Sequence, residues 1–395
     1  MNELLKNEKL YLVVLGVLFF GSCSGEPEIE IPEEISALEN ATLISSDATP
    51  LHNSEPVIEA TYGDTDEIII GRIGPFTVGN NGNVYLSDVS RQVIHVYSAD
   101  GTHIEEIGGE GDGPGEFRRI SSVSIDEKTI HVLDTQQMRI SRFDVNNFRY
   151  IDDMELPFEP DYSGGYFTYP QSLDVMNDGN HLIHFGMGFS SGQEDQETSR
   201  SVIGKKFDID KGVIEPDTMY SFPASEALVR RDGTSLHMMA SVPYKRSAHV
   251  HYKNGEIMHG WSEEPLFKWF DEDGEYTRAV YSPYENEPLL RNDIVKEYED
   301  RDEPWRGMIR NDDHPETWPS FIQAIPDDEG RVWVGLITDD PDIYTWKSFS
   351  LDGEVYASFT WPRHIEINRV QNGEIYTMET DPETDLRQVA KYRLP

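Results

Sequence analysis

The segment Asn81-Gly-Asn-Val-Tyr-Leu-Ser-Asp-Val-Ser-Arg-Gln-Val-Ile-His-Val-Tyr-Ser-Ala-Asp-Gly101 is the clearest indication of the fold in this sequence. It holds two short runs rich in β-branched and aromatic residues, Val84–Asp88 and Val93–Tyr97. Asn-Gly and Asp-Gly dipeptides flank them, and both favour two-residue hairpin turns because their residues tolerate positive φ. The 19-residue interval between the two turn glycines recurs from Gly255 to Gly274. Each unit therefore reads as four short strands joined by tight turns.

Working outward from this unit, we find its first hairpin six times. The turns fall at 81–82, 127–128, 178–179, 254–255, 329–330 and 372–373. Six such units predict an all-β fold, a six-bladed β-propeller with four-stranded antiparallel blades. The uneven spacing of the turns, from 43 to 76 residues, predicts insertions in some blades.

The two ends of the chain are predicted to meet in the last blade. After the sixth turn only two strands remain, at 374–379 and 388–393, so this blade lacks its fourth strand. We expect an N-terminal strand, at 56–62 or at 67–70, to close the ring and cover the exposed edge.

One insertion has a helical pattern. Within residues 288–301, apolar side chains at Leu289, Leu290, Ile294, Val295 and Tyr298 form one stripe at helical spacing. We expect this helix to pack on the propeller rim between blades four and five, with binding of a partner as the alternative.

The N-terminus has the pattern of an export signal. Lys6 and Lys9 precede an apolar run at 10–20, which is too short for a bilayer span of about 20 residues but fits a signal peptide. Phe20-Gly-Ser-Cys23 resembles the lipobox of bacterial lipoproteins, with Phe where Leu is commoner. The resemblance implies removal of residues 1–22 and a diacylglycerol on the Cys23 sulfur. The alternative is an ordinary signal peptide followed by an incidental cysteine.

The next segment, residues 23–53, is rich in Glu, Pro, Ser and Asn and predicts a flexible acidic tether. The propeller is then predicted to occupy residues 54–395. Together with the lipobox, this organisation predicts a protein of the bacterial cell envelope. Its lipid would hold it on the outer membrane, facing the periplasm or the cell surface.

A glycine-rich connector carries a family resemblance. Ile107-Gly-Gly-Glu-Gly-Asp-Gly-Pro-Gly-Glu-Phe117 and the strand pair after it resemble the NHL repeat, in which such a loop links one blade to the next. The resemblance is close over about 66–150 and looser afterwards. Later segments such as Trp346-Lys-Ser-Phe-Ser-Leu-Asp-Gly353 are similar to late blades of NHL-repeat and TolB-like propeller lipoproteins. Most members of that group have no assigned activity.

Composition excludes some classes of function. The chain has 73 acidic and 33 basic residues, a formal net charge of −40, which argues against binding nucleic acid. Gly-x-Ser-x-Gly, His-Glu-x-x-His, P-loop and Rossmann motifs are absent from the sequence. Asp271-Glu-Asp-Gly274 lacks the twelfth-position Glu of a calcium loop, because Ser282 stands there. We predict no cofactor and no metal site, and leave structural or channel-bound calcium as an alternative.

The starts of the six inner strands predict a binding site at the mouth of the central channel, where basic and aromatic residues recur. The residues predicted to bind are Arg72, Arg119, Tyr169, Tyr244, Arg246, Trp318 and His364. Converging cations suit an anionic ligand, such as a carboxylate-bearing sugar or a peptide terminus, and aromatic rings can stack on sugars. The alternative is that the arginines pair with acids and brace the blades.

Two classes of function fit these patterns. The first is an envelope-anchored binding or scaffold propeller that recognises an anionic small molecule, a glycan or an envelope protein. The second is an enzyme, a lyase or hydrolase acting on an acidic glycan or lactone. Tyr244, His364 and Arg246 would then serve as acid–base and carboxylate-binding groups. Propellers host both classes, so the fold alone does not choose between them.

Overall fold

The computed structural model describes residues 31–45, 47–64, 68–158, 166–189, 200–232 and 235–395. The predicted signal peptide and Cys23 lie outside them. Within the described residues six β-sheets of four or five strands each form a blade, and a seventh sheet has only two strands, so the six-bladed β-propeller with four-stranded antiparallel blades is confirmed.

The first three blades occupy the N-terminal half of the propeller. Blade one consists of β3 (Ile73–Val78), β4 (Val84–Asp88), β5 (Val93–Tyr97) and β6 (His103–Gly108). Blade two consists of β7 (Ile120–Ile125), β8 (Thr129–Asp134), β9 (Arg139–Asp144) and β10 (Tyr150–Glu155). Blade three consists of β11 (Tyr166–Val175), β12 (His181–Phe189), β13 (Ser201–Asp208), and a split outer strand, β14 (Val213–Ile214) and β15 (Tyr220–Pro223).

The other three blades follow a separate hairpin, β16 (Leu228–Asp232) and β17 (Ser235–Ala240). Blade four consists of β18 (Ala248–Lys253), β19 (Glu256–Trp261), β20 (Leu266–Phe270) and β21 (Tyr276–Tyr281). Blade five consists of β22 (Phe321–Pro326), β23 (Arg331–Ile337), β24 (Ile343–Ser350) and β25 (Val355–Pro362). Blade six contains β26 (Glu366–Gln371), β27 (Glu374–Thr380) and β28 (Arg387–Arg393).

All six predicted first hairpins lie between the first two strands of a blade. Five of them use a glycine in the left-handed region, as at Gly82 with φ of 79° and Gly255 with φ of 82°. The turn of blade two has no glycine, and Asp126 closes it instead. The Asp126 carboxylate accepts hydrogen bonds from the backbone N–H groups of Lys128 (2.7 Å) and Thr129 (2.8 Å). A side-chain acceptor thus stabilises the turn that glycine stabilises elsewhere.

Apolar side chains fill the space between neighbouring blades. At the first junction, Phe117 ends the glycine-rich connector and is fully buried against Ile107 and Phe143. Gly108 must be glycine, because a Cβ there would lie 2.2 Å from the Phe117 ring, and its φ of +86° is itself unfavourable for other residues.

The ring closes through β2 (Val57–Tyr62), which pairs antiparallel with β28 as the outer strand of blade six. This is the first of the two predicted positions. Tyr62 is fully buried where it meets Tyr97 and Tyr376, at ring-centroid distances of 6.0 and 6.4 Å.

The predicted tether is not free over its described part. The chain forms α1 (Glu33–Ser36) and then β1 (Ala41–Leu43), which adds a fifth, parallel strand to blade four. Further along, the Leu51 and His52 N–H groups donate to Val355 and Tyr356 carbonyls of blade five. We call residues 41–45 and 47–62 the belt, because they contact the outer strands of blades four and five in turn and then supply the outer strand of blade six. Each contact spans only a few residues, so no periodic pattern marks the belt in the sequence.

The helical insertion contains two helices. The predicted one spans α2 (Arg291–Glu297), and α3 (Trp305–Asn311) follows it. Leu289 and Ile294 are buried against Met308 and Ile309 of this insert, whereas Leu290 is 63% exposed and does not belong to the apolar stripe. Within the described residues, no helix combines the length and the apolar character that a membrane span requires.

Candidate binding site in the central channel

The inner strands of all six blades surround a central cavity of about 850 Å³. β3, β7, β11, β18, β22 and β26 each contribute to its wall. The lining includes Thr77, Ser124, Asp174, His251, Ile325 and Arg369, one from each blade. A cavity of this volume fits a small molecule, since ligand pockets typically measure about 300–1,000 Å³.

Three charged side chains lie along the inner strands that line this cavity: Asp174 on β11, Lys253 on β18 and Arg369 on β26. Blades three and six are opposite each other in a ring of six. Asp174 and Arg369 therefore approach the channel from opposite sides, with Lys253 on the blade next to that of Asp174. The remaining acids in the lining, Asp126 and Glu127, belong to a hairpin turn at the end of an inner strand.

Arg369 is the most unusual of these groups. Among the described residues its guanidinium forms no hydrogen bond and no ion pair within 4.0 Å. Desolvation lowers the pKa of Arg369, while the negative charges of Asp174 and Asp328 act in the opposite direction. A guanidinium remains protonated at neutral pH, so the channel holds a cation that no described residue pairs. Such a charge is costly away from bulk water unless an anion meets it.

Lys253 supplies a second cation and links two blades across the channel. Its Nζ donates to Oε1 of Gln371 on blade six at 2.7 Å, and Gln371 Nε2 donates to Asp328 Oδ2 at 3.2 Å. Desolvation, followed by the positive charge of Arg369, lowers the pKa of Lys253. The neutral amide of Gln371 leaves the lysine charge uncompensated.

Asp174, on the blade opposite that of Arg369, is held by a chain of hydrogen bonds. His184 Nε2 lies 2.8 Å from Asp174 Oδ2, and His184 Nδ1 lies 2.6 Å from the Tyr220 hydroxyl. Burial raises the pKa of Tyr220, so its hydroxyl keeps its proton and donates to Nδ1. Nε2 then carries the imidazole proton and donates it to the carboxylate. Burial alone would raise the pKa of Asp174, but the hydrogen bond from His184 and the positive charge of Arg369 lower it overall, so Asp174 is ionised.

His251 completes the wall beside Asp174. Desolvation lowers the pKa of His251 to about 4, although Asp174 and a hydrogen bond to the Ala324 backbone act in the opposite direction. Its imidazole is therefore neutral at pH 7 and adds no positive charge to the channel.

Four of the residues predicted to bind lie on or just before inner strands. Arg72 and Arg119 are exposed at equivalent positions directly before β3 and β7, where their carbonyls accept from the N–H groups of Val89 (2.9 Å) and Thr135 (3.2 Å). Tyr169 lies on β11 and is 37% exposed, with its hydroxyl accepting from Gln171 Nε2 at 3.2 Å. His364 is exposed in the turn between β25 and β26. The structure does not place these four on the wall of the 850 Å³ cavity.

The other three predicted residues are structural. Tyr244 is fully buried beside His314, and Trp318 packs on the same cluster of the helical insert. Arg246 is 6% exposed, forms an ion pair with Glu263, and donates to the backbone carbonyl of Thr317 at 2.8 Å. These side chains lie under the insert and do not reach the channel, and Arg246 braces the protein as the alternative interpretation expected.

Three of the residues that line the cavity lie further along strands near which binding residues were predicted. Asp174, His251 and Arg369 each lie five residues beyond a predicted residue, namely Tyr169, Arg246 and His364. Each of these three residues lies three or four positions before the turn of a first hairpin. A buried inner strand would otherwise be apolar at that position, so a charged or polar residue there could have indicated the channel wall. No group of three or more His, Cys, Asp or Glu side chains suited to a metal ion occurs in the described part of the chain.

The fold and this cavity define the class: a six-bladed β-propeller with a charged central channel. Residues 63–259 match the model of a family, DUF5128, described as a 6-bladed beta-propeller. No curated protein has a sequence that matches this chain.

Two solved structures resemble the chain over most of its length. One is a protein of Bacteroides fragilis described as a candidate exported protein. It is 11% identical with a TM-score of 0.50, and the alignment covers 90% of this chain and 99% of that one. The other is a member of the DUF4221 family from Bacteroides vulgatus. It is 12% identical with a TM-score of 0.51, and the coverage is 86% and 97%. At this level of identity the likeness shows the fold alone.

Proposed function

We propose that this protein is a lipid-anchored propeller of the bacterial cell envelope, of the NHL-repeat and TolB-like kind, that binds a small anionic molecule in its central channel. The observation that carries the binding proposal is the guanidinium of Arg369, which lines the central cavity and forms no ion pair with any described residue. The lipobox at Cys23 and the similarity to a candidate exported protein support the location.

The charge of the channel contrasts with that of the chain. Overall, acids outnumber bases by 73 to 33, yet two of the three charged side chains along the inner strands of the cavity are cations. Cations that are kept unpaired in so acidic a protein favour an anionic ligand. A carboxylate suits Arg369 best, because the planar guanidinium can donate two parallel hydrogen bonds to it.

The exposed arginines remain part of the proposal in a lesser role. Arg72 and Arg119 stand where two inner strands begin and have exposed side chains. Charges at such positions increase the rate at which an anion reaches the channel more than they increase its affinity.

We expect replacement of Arg369 to remove most of the affinity for a carboxylate sugar. D-glucuronate should bind the wild type more tightly than D-glucose does, and Arg369→Gln should weaken glucuronate binding roughly tenfold to a hundredfold. That range corresponds to a charge-assisted hydrogen bond of about 1.5–3 kcal/mol. Isothermal titration calorimetry measures both constants.

Arg72→Gln is the matched control, since it removes the same charge outside the cavity. It should leave the dissociation constant within about twofold and slow association at low salt. If Arg72→Gln lost affinity for glucuronate and Arg369→Gln did not, the binding site would lie at the mouth of the channel and not inside it.

The anchor is tested separately. Cys23→Ser removes the acylated sulfur, so we expect the protein to leave the detergent phase in Triton X-114 partitioning or to accumulate as uncleaved precursor. Ser24→Ala is the control and should partition as the wild type does. Detergent partitioning of Cys23→Ser identical to wild type would refute lipidation.

A second function has one observation in its favour. The chain Tyr220–His184–Asp174 resembles a proton relay that ends on a carboxylate at the channel, as a lyase or hydrolase for an acidic glycan or lactone would need. These residues would replace the acid–base groups expected from the sequence, because Tyr244 and Arg246 are buried outside the channel. A binding protein returns its ligand unchanged after the titration, whereas an enzyme converts it.

A further inference from the structure

The channel carries charges of both signs on facing walls. Asp174 on blade three and Arg369 on blade six both line the cavity, and in the described structure they form no ion pair within 4.0 Å. Opposite charges attract each other strongly where little water separates them. The carboxylate of Asp174 and the guanidinium of Arg369 stay apart across the cavity, so both remain available to a ligand. The two walls thus form a dipole across the binding space.

The negative wall is fixed in place. His184 holds Asp174 Oδ2 at 2.8 Å, and the Tyr220 hydroxyl that orients His184 belongs to a ring stacked on Phe222 at 5.2 Å between centroids. Among the described residues Asp174 Oδ1 has no hydrogen-bond partner, and the side chain is 38% exposed. The carboxylate is therefore oriented by one oxygen and open to a ligand through the other.

The positive wall is built differently and lies on other blades. Toward the part of the chain that the structure describes, Arg369 donates no hydrogen bond, and Lys253 uses one donor on Gln371 and retains two. His251 is neutral, so the cations that face Asp174 from the lining are Arg369 and Lys253.

A simple anion satisfies only one of these walls. It gains from Arg369 and Lys253 but meets repulsion from Asp174, while a neutral sugar gains little from either wall. A ligand with a carboxylate at one end and an ammonium at the other gains from both.

We propose that the channel binds a compact zwitterion, with its carboxylate against Arg369 and Lys253 and its ammonium against Asp174. This inference rests on the proposed function, which supplies the anionic half of the ligand. Two sources share this chemistry: a short peptide with free termini and an amino-sugar acid.

The test compares matched ligands by isothermal titration calorimetry on the wild-type protein. Glycylglycine and triglycine represent the peptide source at two lengths, and muramic acid represents the amino-sugar source. Each is paired with its N-acetyl counterpart, which keeps the carboxylate and removes the positive charge. We expect N-acetylation to weaken binding at least tenfold for the source that fits, whereas amidation of the peptide carboxylate should abolish peptide binding.

Asp174→Asn separates a ligand contact from a structural role. It keeps the shape of the side chain and removes its charge, so the free and acetylated ligands should bind this variant with nearly equal affinity. A change in stability alone would weaken both ligands by the same factor and leave their ratio unchanged. If Asp174→Asn does not fold, the ratio of the dissociation constants of the acetylated and free ligands, measured on the wild type, decides whether the channel binds a zwitterion.

The outcomes separate the two proposals. Equal binding of free and acetylated ligands to the wild type would overturn the zwitterion and leave the anion site standing. If peptide amides or neutral sugars bound as tightly as the carboxylates, the anion site itself would be refuted, and the zwitterion with it. An absence of binding by every zwitterion, with glucuronate still bound, would also overturn this inference.

Discussion

A chain that begins after Tyr62 is expected to aggregate, whereas one that begins after Glu30 should keep the stability of the full protein. β2 supplies the outer strand of blade six, and its loss exposes the unpaired edge of β28. It also removes Tyr62, which is fully buried, and deletion of one such aromatic side chain costs roughly 3–5 kcal/mol. The ion pairs of Glu59 with Lys391 and Arg393 are lost as well.

Thermal unfolding and light scattering of three truncated forms measure this effect. Deletion through Asn53 is the intermediate case, since it removes α1, β1 and the contacts of Leu51 and His52 but keeps β2. It should lower the melting temperature and leave the protein monomeric. Equal melting temperatures for the forms that begin after Glu30 and after Tyr62 would show that β2 does not close the ring.

Mild acid is expected to destabilise the propeller well before its carboxylates titrate. Burial lowers the pKa of four histidines, to about 3 for His181 and His249 and to about 4 for His251 and His259. The unfolded chain takes up these protons near pH 6.5 and the folded protein does not, so stability falls as the pH falls below 6.5. Each histidine contributes at most about 1.4 kcal/mol per pH unit in this window. Carboxylates such as Asp126, whose pKa is lowered to about 2, add a loss only below about pH 4.

Urea unfolding at pH 7.5, 6.5 and 5.0 gives the free energy of unfolding directly. We expect it to fall by about 1–2 kcal/mol between the first two values, because the histidines of the unfolded chain are half protonated at pH 6.5, and by several kcal/mol more at pH 5.0. His181→Gln should reduce the dependence of the unfolding free energy on pH below 6.5. His181 is fully buried, and its Nε2 lies 2.9 Å from Nδ1 of His131. His364→Gln removes an exposed histidine and should leave that dependence unchanged. An unfolding free energy that stays constant from pH 7.5 to 5.0 would show that these histidines are protonated in the folded protein.

The propeller was predictable because its turns are local. Gly82, Gly255 and the other turn glycines need positive φ, and that requirement is visible in two adjacent letters of sequence. The belt was not predictable in the same way, since β1 pairs only three residues with β21, and the edge it covers lies more than 200 residues away. Contacts this short and this distant leave no period in the sequence.

The presence of cations in the channel was easier to predict than the residues that supply them. Basic side chains near the inner strands suggested an anionic ligand, and Lys253 and Arg369 support that interpretation from inside the cavity. Tyr244, Arg246 and Trp318 were misplaced because the insert with α2 and α3 packs over them. Where an insert packs depends on tertiary contacts, so the position of a residue before a strand does not show whether it reaches the channel.

A crystal structure of the purified protein with D-glucuronate tests whether the channel is an anion-binding site. We expect the sugar inside the cavity, with its carboxylate at about 2.7–3.1 Å from the guanidinium nitrogens of Arg369. Glucuronate bound beside Arg72 and Arg119, with the Arg369 guanidinium still unpaired, would contradict this expectation.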